Sequence, residues 1–158
     1  ALGCKLAHPE RDVVCITGDG GFQMNMQEMA TAMIYHIPVV VVLLNNHYLG
    51  MVQQMQHYFY GKRYSLTCLR KDENCPYDCK GEGKQCPENY YPNFVKWAES
   101  YEAHAIRVTK EEEILPALQQ AKANTDAPTV IEFIISSENR VLPMVKGGNP
   151  MTEMILEN

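Results

Sequence analysis

Two runs of consecutive apolar, β-branched residues frame the first third of the chain. They are Val13-Val14-Cys15-Ile16-Thr17 and Val39-Val40-Val41-Val42-Leu43-Leu44. Each suits a strand buried on both faces. Between them, from Met24 to Tyr35, apolar residues recur at Met26, Met29, Ala30 and Met33, which is helical spacing, and Pro38 follows where it no longer disturbs a helix. Gly18-Asp19-Gly20-Gly21-Phe22 fills the first junction; its glycines are expected to turn the chain sharply and bring backbone N–H groups near a ligand. A strand–helix–strand unit of about 30 residues predicts a right-handed crossover, with both strands finishing on one edge of the sheet.

The pattern continues in alternation. Residues 1–8 read as the end of a helix, 9–12 as a polar turn, His47–Gly50 as a loop, and Met51–Tyr58 as a helix with Met51, Met55 and Tyr58 on one face. Pro92 opens a helix running through Tyr101, and His104–Val108 is a strand. Thr109 is expected to cap the next helix in a box with Glu112, that helix turning Ile114, Leu115, Leu118 and Ala121 inward as far as Ala123. Thr129–Ile135 reads as another buried strand, and Val141 onward as a loop and a short terminal helix. The fold class is α/β, a doubly wound, mostly parallel sheet with helices on both faces.

Length and composition narrow the function. The 158 residues make one domain, and a hydrophobic fraction of 46% allows a full core. A net charge of −5 leaves no basic footprint for nucleic acid. No apolar run approaches the roughly 20 residues of a membrane span, and no secretory signal precedes the first strand. The chain begins at Ala1 without an initiating Met, and is expected to be the C-terminal piece of a longer enzyme.

Asp19 and Asn46 stand at the ends of the two predicted strands. Neighbouring strands lie roughly 5 Å apart, so both side chains can reach one ion. Mg²⁺ takes about six oxygens and commonly shares them with phosphates and water, so a carboxylate, an amide oxygen and a loop carbonyl leave room for a diphosphate. Open α/β sheets bind ligands at this carboxyl edge. Other glycine loops fit worse: Gln23 stands where a dinucleotide fingerprint needs its third glycine, and no Gly-Lys-Ser/Thr triplet occurs. An ordinary βα turn is the plain alternative, and Asn45-Asn46 argues against it. His47 adjoins Asn46 and could touch a ligand, although a loop histidine is more often solvated; Glu28 reads as structural.

Gly18-Asp19-Gly20, residues 21–44, then Asn45-Asn46 resembles the cofactor motif of thiamine-diphosphate enzymes. Gly50-Met51-Val52, Gln54-x-Gln56, Tyr60, Arg63-Tyr64-Ser65, Val141-Leu142-Pro143-Met144-Val145 and Gly147-Gly148 extend the likeness to the acetolactate synthase (acetohydroxyacid synthase) large subunit. The resemblance implies a C-terminal domain that binds thiamine diphosphate and Mg²⁺. It assigns the metal to Asp19, Asn46 and the Tyr48 backbone carbonyl, and the diphosphate surroundings to Gly18, Gly20, Gly21, Gly50 and Met51. The activating glutamate is expected upstream, so no catalytic residue is assigned within these residues. The implied reaction joins pyruvate to a second 2-oxo acid, giving 2-acetolactate or 2-aceto-2-hydroxybutyrate for branched-chain amino acids. A homodimer or tetramer in the cytoplasm, a regulatory small subunit and an FAD site upstream are further implications. Pyruvate oxidase, glyoxylate carboligase, a 2-oxo acid decarboxylase and a non-catalytic interaction module are the competing readings.

Three departures from the family pattern stand out. Met55 occupies a substrate-channel position, shared with Met51, where the family usually carries a tryptophan that helps choose the second 2-oxo acid and contributes to a herbicide site. An altered acceptor preference and tolerance of sulfonylurea-type inhibitors are expected. Glu102 replaces a common glycine and is expected to carry strain or shift a helix end. Residues 66–91 form a Cys-rich insertion within the domain, with Cys68, Cys75, Cys79 and Cys86 separated by six, three and six residues. Four thiolates suit Zn²⁺ or an iron–sulfur cluster, with free thiols and disulfides as alternatives. Cys4 and Cys15 read as buried small residues.

Overall fold

The computed structural model describes residues 1–70, 75 and 92–157. A four-stranded parallel sheet carries the chain, in the order β1 (Val14–Gly18), β2 (Val40–Asn45), β4 (Thr129–Ile134) and β3 (His104–Val108). The strands fall within a residue of their sequence-predicted bounds. β1 and β2 are direct neighbours, with Val14 opposite Val40 and Gly18 opposite Leu44. The connection between them places Asp19 and Asn46 at the same carboxyl edge.

Apolar residues on one sheet face, among them Val41, Leu43 and Val130, pack against Met29 and Ala32 of α3 (Met29–Ile34) and Phe94 and Ala98 of α5 (Phe94–Glu99). The other face packs Val108, Ile131 and Phe133 against Ala117 and Ala121 of α6 (Ile114–Ala123). The doubly wound architecture is therefore as expected, while several local expectations are corrected. Only β4 is buried along nearly its whole length. β1 is an edge strand with Ile16 71% exposed, because α6 sits over the inner strands. α6 approaches through alanines, so Leu115, Leu118 and Ile114 stay exposed rather than facing in.

The segment after β1 does not turn on flexible glycines. It enters a helical turn at once, α2 (Asp19–Phe22), with Gly18 in ordinary extended geometry. None of Gly18, Gly20 and Gly21 has positive φ. A single-turn 3₁₀ helix at Met26–Glu28 then precedes α3, so the long helix expected from Met24 is split. Cys4, on α1 (Leu2–Ala7), is exposed rather than buried, and Cys15 is half-buried. α5 opens at Phe94 rather than Pro92, and Asn93 caps it, its side chain accepting from the Lys96 N–H at 3.2 Å. The capping box is shifted by one residue: Glu113, not Glu112, accepts from the Thr109 and Lys110 N–H groups at 2.8 and 3.2 Å. These bonds hold its carboxyl below the usual range, led by the Thr109 N–H. No helix closes the described C-terminal residues; Met144–Val145 (β5) pairs antiparallel with Met154–Ile155 (β6).

Glu102 does carry strain, with φ of +63° just beyond α5. A left-handed residue other than glycine costs roughly 1–2 kcal/mol, partly offset by the greater flexibility of glycine in the unfolded chain. Glu102→Gly is therefore expected to stabilise the fold by about 1 kcal/mol, read as a higher thermal midpoint. An unchanged or lower midpoint would show that the strain is relieved elsewhere.

Candidate functional site

Asp19 is the first residue of α2 and Asn46 directly follows β2, so the sheet register brings them side by side. Asp19 is 1% exposed, a carboxylate withdrawn from bulk water. All eight residues expected to surround the cofactor line one cleft of about 420 Å³: Gly18, Asp19, Gly20, Gly21, Asn46, Tyr48, Gly50 and Met51. Gly20 has a steric reason that its φ does not reveal. A Cβ there would come within 2.6 Å of Leu49 Cδ2, so a side chain would have to displace the end of the Leu49 side chain.

The loop after β2 is built from two successive side-chain turns. The His47 N–H donates to Asn45 Oδ1 and the Tyr48 N–H to Asn46 Oδ1, each at 3.0 Å. Residues 47–49 also pair antiparallel with residues 67–69: the Leu49 N–H donates to Thr67 O at 2.9 Å, and the Leu69 N–H to His47 O at 2.8 Å. Because residues 47 and 49 face that partner segment, the backbone groups of Tyr48 point the other way, toward the side that holds Asn46. An amide oxygen has two acceptor positions, so Asn46 Oδ1 can keep its turn bond and still meet a cation. Carboxylate, amide and carbonyl oxygens form a hard donor set suited to Mg²⁺.

His47 sits in this loop with φ of +64°. Burial, reinforced by the charges of Arg70 and Arg107, pushes its pKa down to about 4, so the imidazole is neutral at physiological pH.

α4 (Gly50–Phe59) leaves the loop with Gln53 and Gln54 buried and Met51, Val52 and Met55 exposed. Met51 lines the main cleft, and Met55 lines an adjoining depression of about 480 Å³ that shares Val52 with the cleft and includes Gln56, Tyr60 and Arg63. The segment from Val141 reaches the cleft, as the resemblance implies, and Ile135 and Asn139, which sequence reasoning missed, contribute to the same far wall. It also missed Glu132, a fully buried carboxylate, although a single charge inside the apolar run 129–135 was a readable signal.

Of the four expected thiol ligands, Cys68 and Cys75 are half-buried, while Cys79 and Cys86 lie outside the described residues. Among the described residues, no group of three or more His, Cys, Asp or Glu side chains could hold a metal ion. No helix among them is long and apolar enough to cross a membrane.

A parallel α/β sheet with an acidic turn and an asparagine loop lining a cleft at its carboxyl edge belongs to the open-sheet class of domain that binds ligands at that edge. A family profile described as "Thiamine pyrophosphate enzyme, C-terminal TPP binding domain" matches residues 1–133, and the chain belongs to that family. It is 43% identical over 154 residues to the acetolactate synthase large subunit of Corynebacterium glutamicum, a match covering 98% of this chain and 22% of that protein. It is 41% identical over 156 residues to the Haemophilus influenzae acetolactate synthase large subunit, covering 99% of this chain and 24% of that protein. The chain thus spans less than a quarter of the length of these relatives. Among solved structures, a thiamine diphosphate-dependent 4-hydroxybenzoylformate decarboxylase from Rhodococcus jostii RHA1 aligns with a TM-score of 0.67 and 27% identity, over 86% of this chain and 22% of that one.

Proposed function

We propose that this domain holds the diphosphate end of thiamine diphosphate through Mg²⁺, within an enzyme that condenses pyruvate with a second 2-oxo acid to give 2-acetolactate or 2-aceto-2-hydroxybutyrate. The observation that carries the reading is the convergence of Asp19, Asn46 and the Tyr48 backbone on one cleft beside Gly20. In it, Asp19, Asn46 and the Tyr48 carbonyl hold the cation. Gly20, Gly21 and the Gly50–Met51 backbone lie against the diphosphate. The bound cofactor would supply carbanion stabilisation, the chemistry that decarboxylation and carboligation of 2-oxo acids require. The residues of this chain bind and orient; the group that activates the cofactor belongs, on this reading, to another part of the longer enzyme. A cytoplasmic homodimer or tetramer with a regulatory small subunit, serving branched-chain amino acid synthesis, completes the proposal.

The test uses the full-length enzyme with pyruvate, thiamine diphosphate and Mg²⁺, quantifying acetolactate and CO₂ together. Acetolactate in step with CO₂ is expected. CO₂ accompanied by acetaldehyde or acetate would keep the cofactor site and move the enzyme to a decarboxylase or oxidase. No turnover and no cofactor binding would favour a non-catalytic module.

Met55 is 40% exposed and forms part of a wall that a thioether fills thinly. Met55→Trp is expected to change the ratio of acetolactate to acetohydroxybutyrate when pyruvate and 2-oxobutyrate compete, by roughly 5-fold, the effect of about 1 kcal/mol from added aromatic contact, and to increase sulfonylurea sensitivity. Identical product ratios would remove Met55 from acceptor selection.

A further inference from the structure

A polar row crosses three strands at the carboxyl end of the sheet. Arg107 on β3 lies opposite Glu132 on β4, and Asn45 ends β2 two residues beyond Leu43, the residue opposite Glu132. Arg107 Nε donates to Glu132 Oε2 at 2.7 Å, and Asn45 Nδ2 donates to Glu132 Oε1, also at 2.7 Å. Glu132 and Asn45 are both 0% exposed, whereas Arg107 is partly open and also donates from a terminal guanidinium nitrogen to Asn93 Oδ1 at 2.9 Å. Burying a carboxylate is costly unless it is paired and hydrogen-bonded, and here both oxygens are engaged. The row ends at the loop described above, because Asn45 Oδ1 accepts from the His47 N–H.

We infer that Glu132 is a positioning residue for the metal-binding loop, acting through Asn45; this rests on the proposed Mg²⁺ site. An amide must choose which end it presents. By accepting from Asn45 Nδ2, Glu132 fixes the Asn45 amide so that Oδ1 faces the His47 N–H. That bond sets the backbone from which Asn46 and the Tyr48 carbonyl approach the cleft. Nothing between Glu132 and the cation needs to move or titrate. Outer partners of metal ligands act in this way, and their loss typically weakens metal binding by about 10–100-fold.

Glu132→Gln separates positioning from packing, because it keeps shape and loses one acceptor. Arg107 and Asn45 both donate to residue 132, and glutamine offers a single oxygen to the two. The charged Arg107 retains it. The glutamine NH₂ then faces Asn45, whose amide must flip and release the His47 N–H. Adding Arg107→Met frees that oxygen for Asn45 again, and the opened side lies near solvent.

The experiment titrates Mg²⁺ into the full-length enzyme at saturating thiamine diphosphate, reading cofactor binding by calorimetry and thermal midpoint in parallel, with Asp19→Ala as the reference. Glu132→Gln is expected to weaken Mg²⁺ binding by about 10–100-fold, and Glu132→Gln/Arg107→Met to recover most of that loss. An unchanged Mg²⁺ affinity in Glu132→Gln, with Asp19→Ala severely impaired, would overturn the positioning role and leave the metal site standing. A double variant no better than the single one would also overturn it, since a merely structural defect gives no such rescue. Unimpaired binding in Asp19→Ala would overturn the metal site itself, and the inference with it.

Discussion

Asp19→Ala in the full-length enzyme should weaken Mg²⁺-dependent thiamine diphosphate binding by more than about 100-fold. Loss of an outer partner of a ligand already costs about 10–100-fold, and Asp19 is assigned as a ligand itself. It also brings the one formal negative charge among the three assigned oxygens. With only 1% of its surface exposed, little water can take its place without rearrangement of α2. Asn46→Ala should cost less in charge, but it also removes the acceptor for the Tyr48 N–H and so loosens the carbonyl beside it. Calorimetric titration of the cofactor at fixed Mg²⁺ reads both, with the thermal midpoint of the cofactor-free proteins showing that they fold. Undiminished Mg²⁺-dependent affinity in Asp19→Ala would remove that residue from the ligand set.

The strands were legible because consecutive β-branched residues have few alternatives once they must be buried, and β1 to β4 lie close to where the pattern placed them. Their partners were less so. A run such as Val13–Thr17 cannot reveal that it forms an edge strand, because burial depends on which elements cover it. α6 shows the same limit from the helix side. Leucines at inward spacing promised contact, but the helix packs close through Ala117 and Ala121 and leaves Leu115 at the rim. Local chemistry was read a residue or two away at helix starts, where Phe94 rather than Pro92 opens α5 and Glu113 rather than Glu112 completes the capping box. The clustering of Asp19 and Asn46 followed from strand adjacency. The buried row behind them did not, since Asn45 and Glu132 are 87 residues apart and meet only through the β2–β4 pairing. Gly20 was noted for flexibility, whereas its φ is ordinary and a Cβ there would press on the Leu49 side chain.

Gln54→Ala should release the segment that walls the far side of the cleft. Gln54 is 2% exposed and grips residue 141 with both ends of its amide: Nε2 donates to Val141 O at 2.9 Å, and the Val141 N–H donates to Oε1 at 2.8 Å. Nε2 also reaches Met144 Sδ at 3.2 Å, at the start of β5. Each backbone bond contributes about 1 kcal/mol, and the buried stem adds about 0.8 kcal/mol per methylene. The loss is then about 3 kcal/mol, which raises the open population of the segment more than about 100-fold. The direct readout is hydrogen exchange at the Val141 amide, whose protection depends on Gln54. The global midpoint should move less, because the segment can open while the sheet stays intact. Ligand affinity responds last: apparent affinity scales with the closed fraction, so it falls only once the open form dominates. Accelerated exchange at Val141 with near-parental cofactor affinity would therefore mean a clamp with stability in reserve. Accelerated exchange together with weaker binding would mean that the clamp operates close to its limit. Unchanged exchange at Val141 would show that the contacts of Gln54 do not hold the wall.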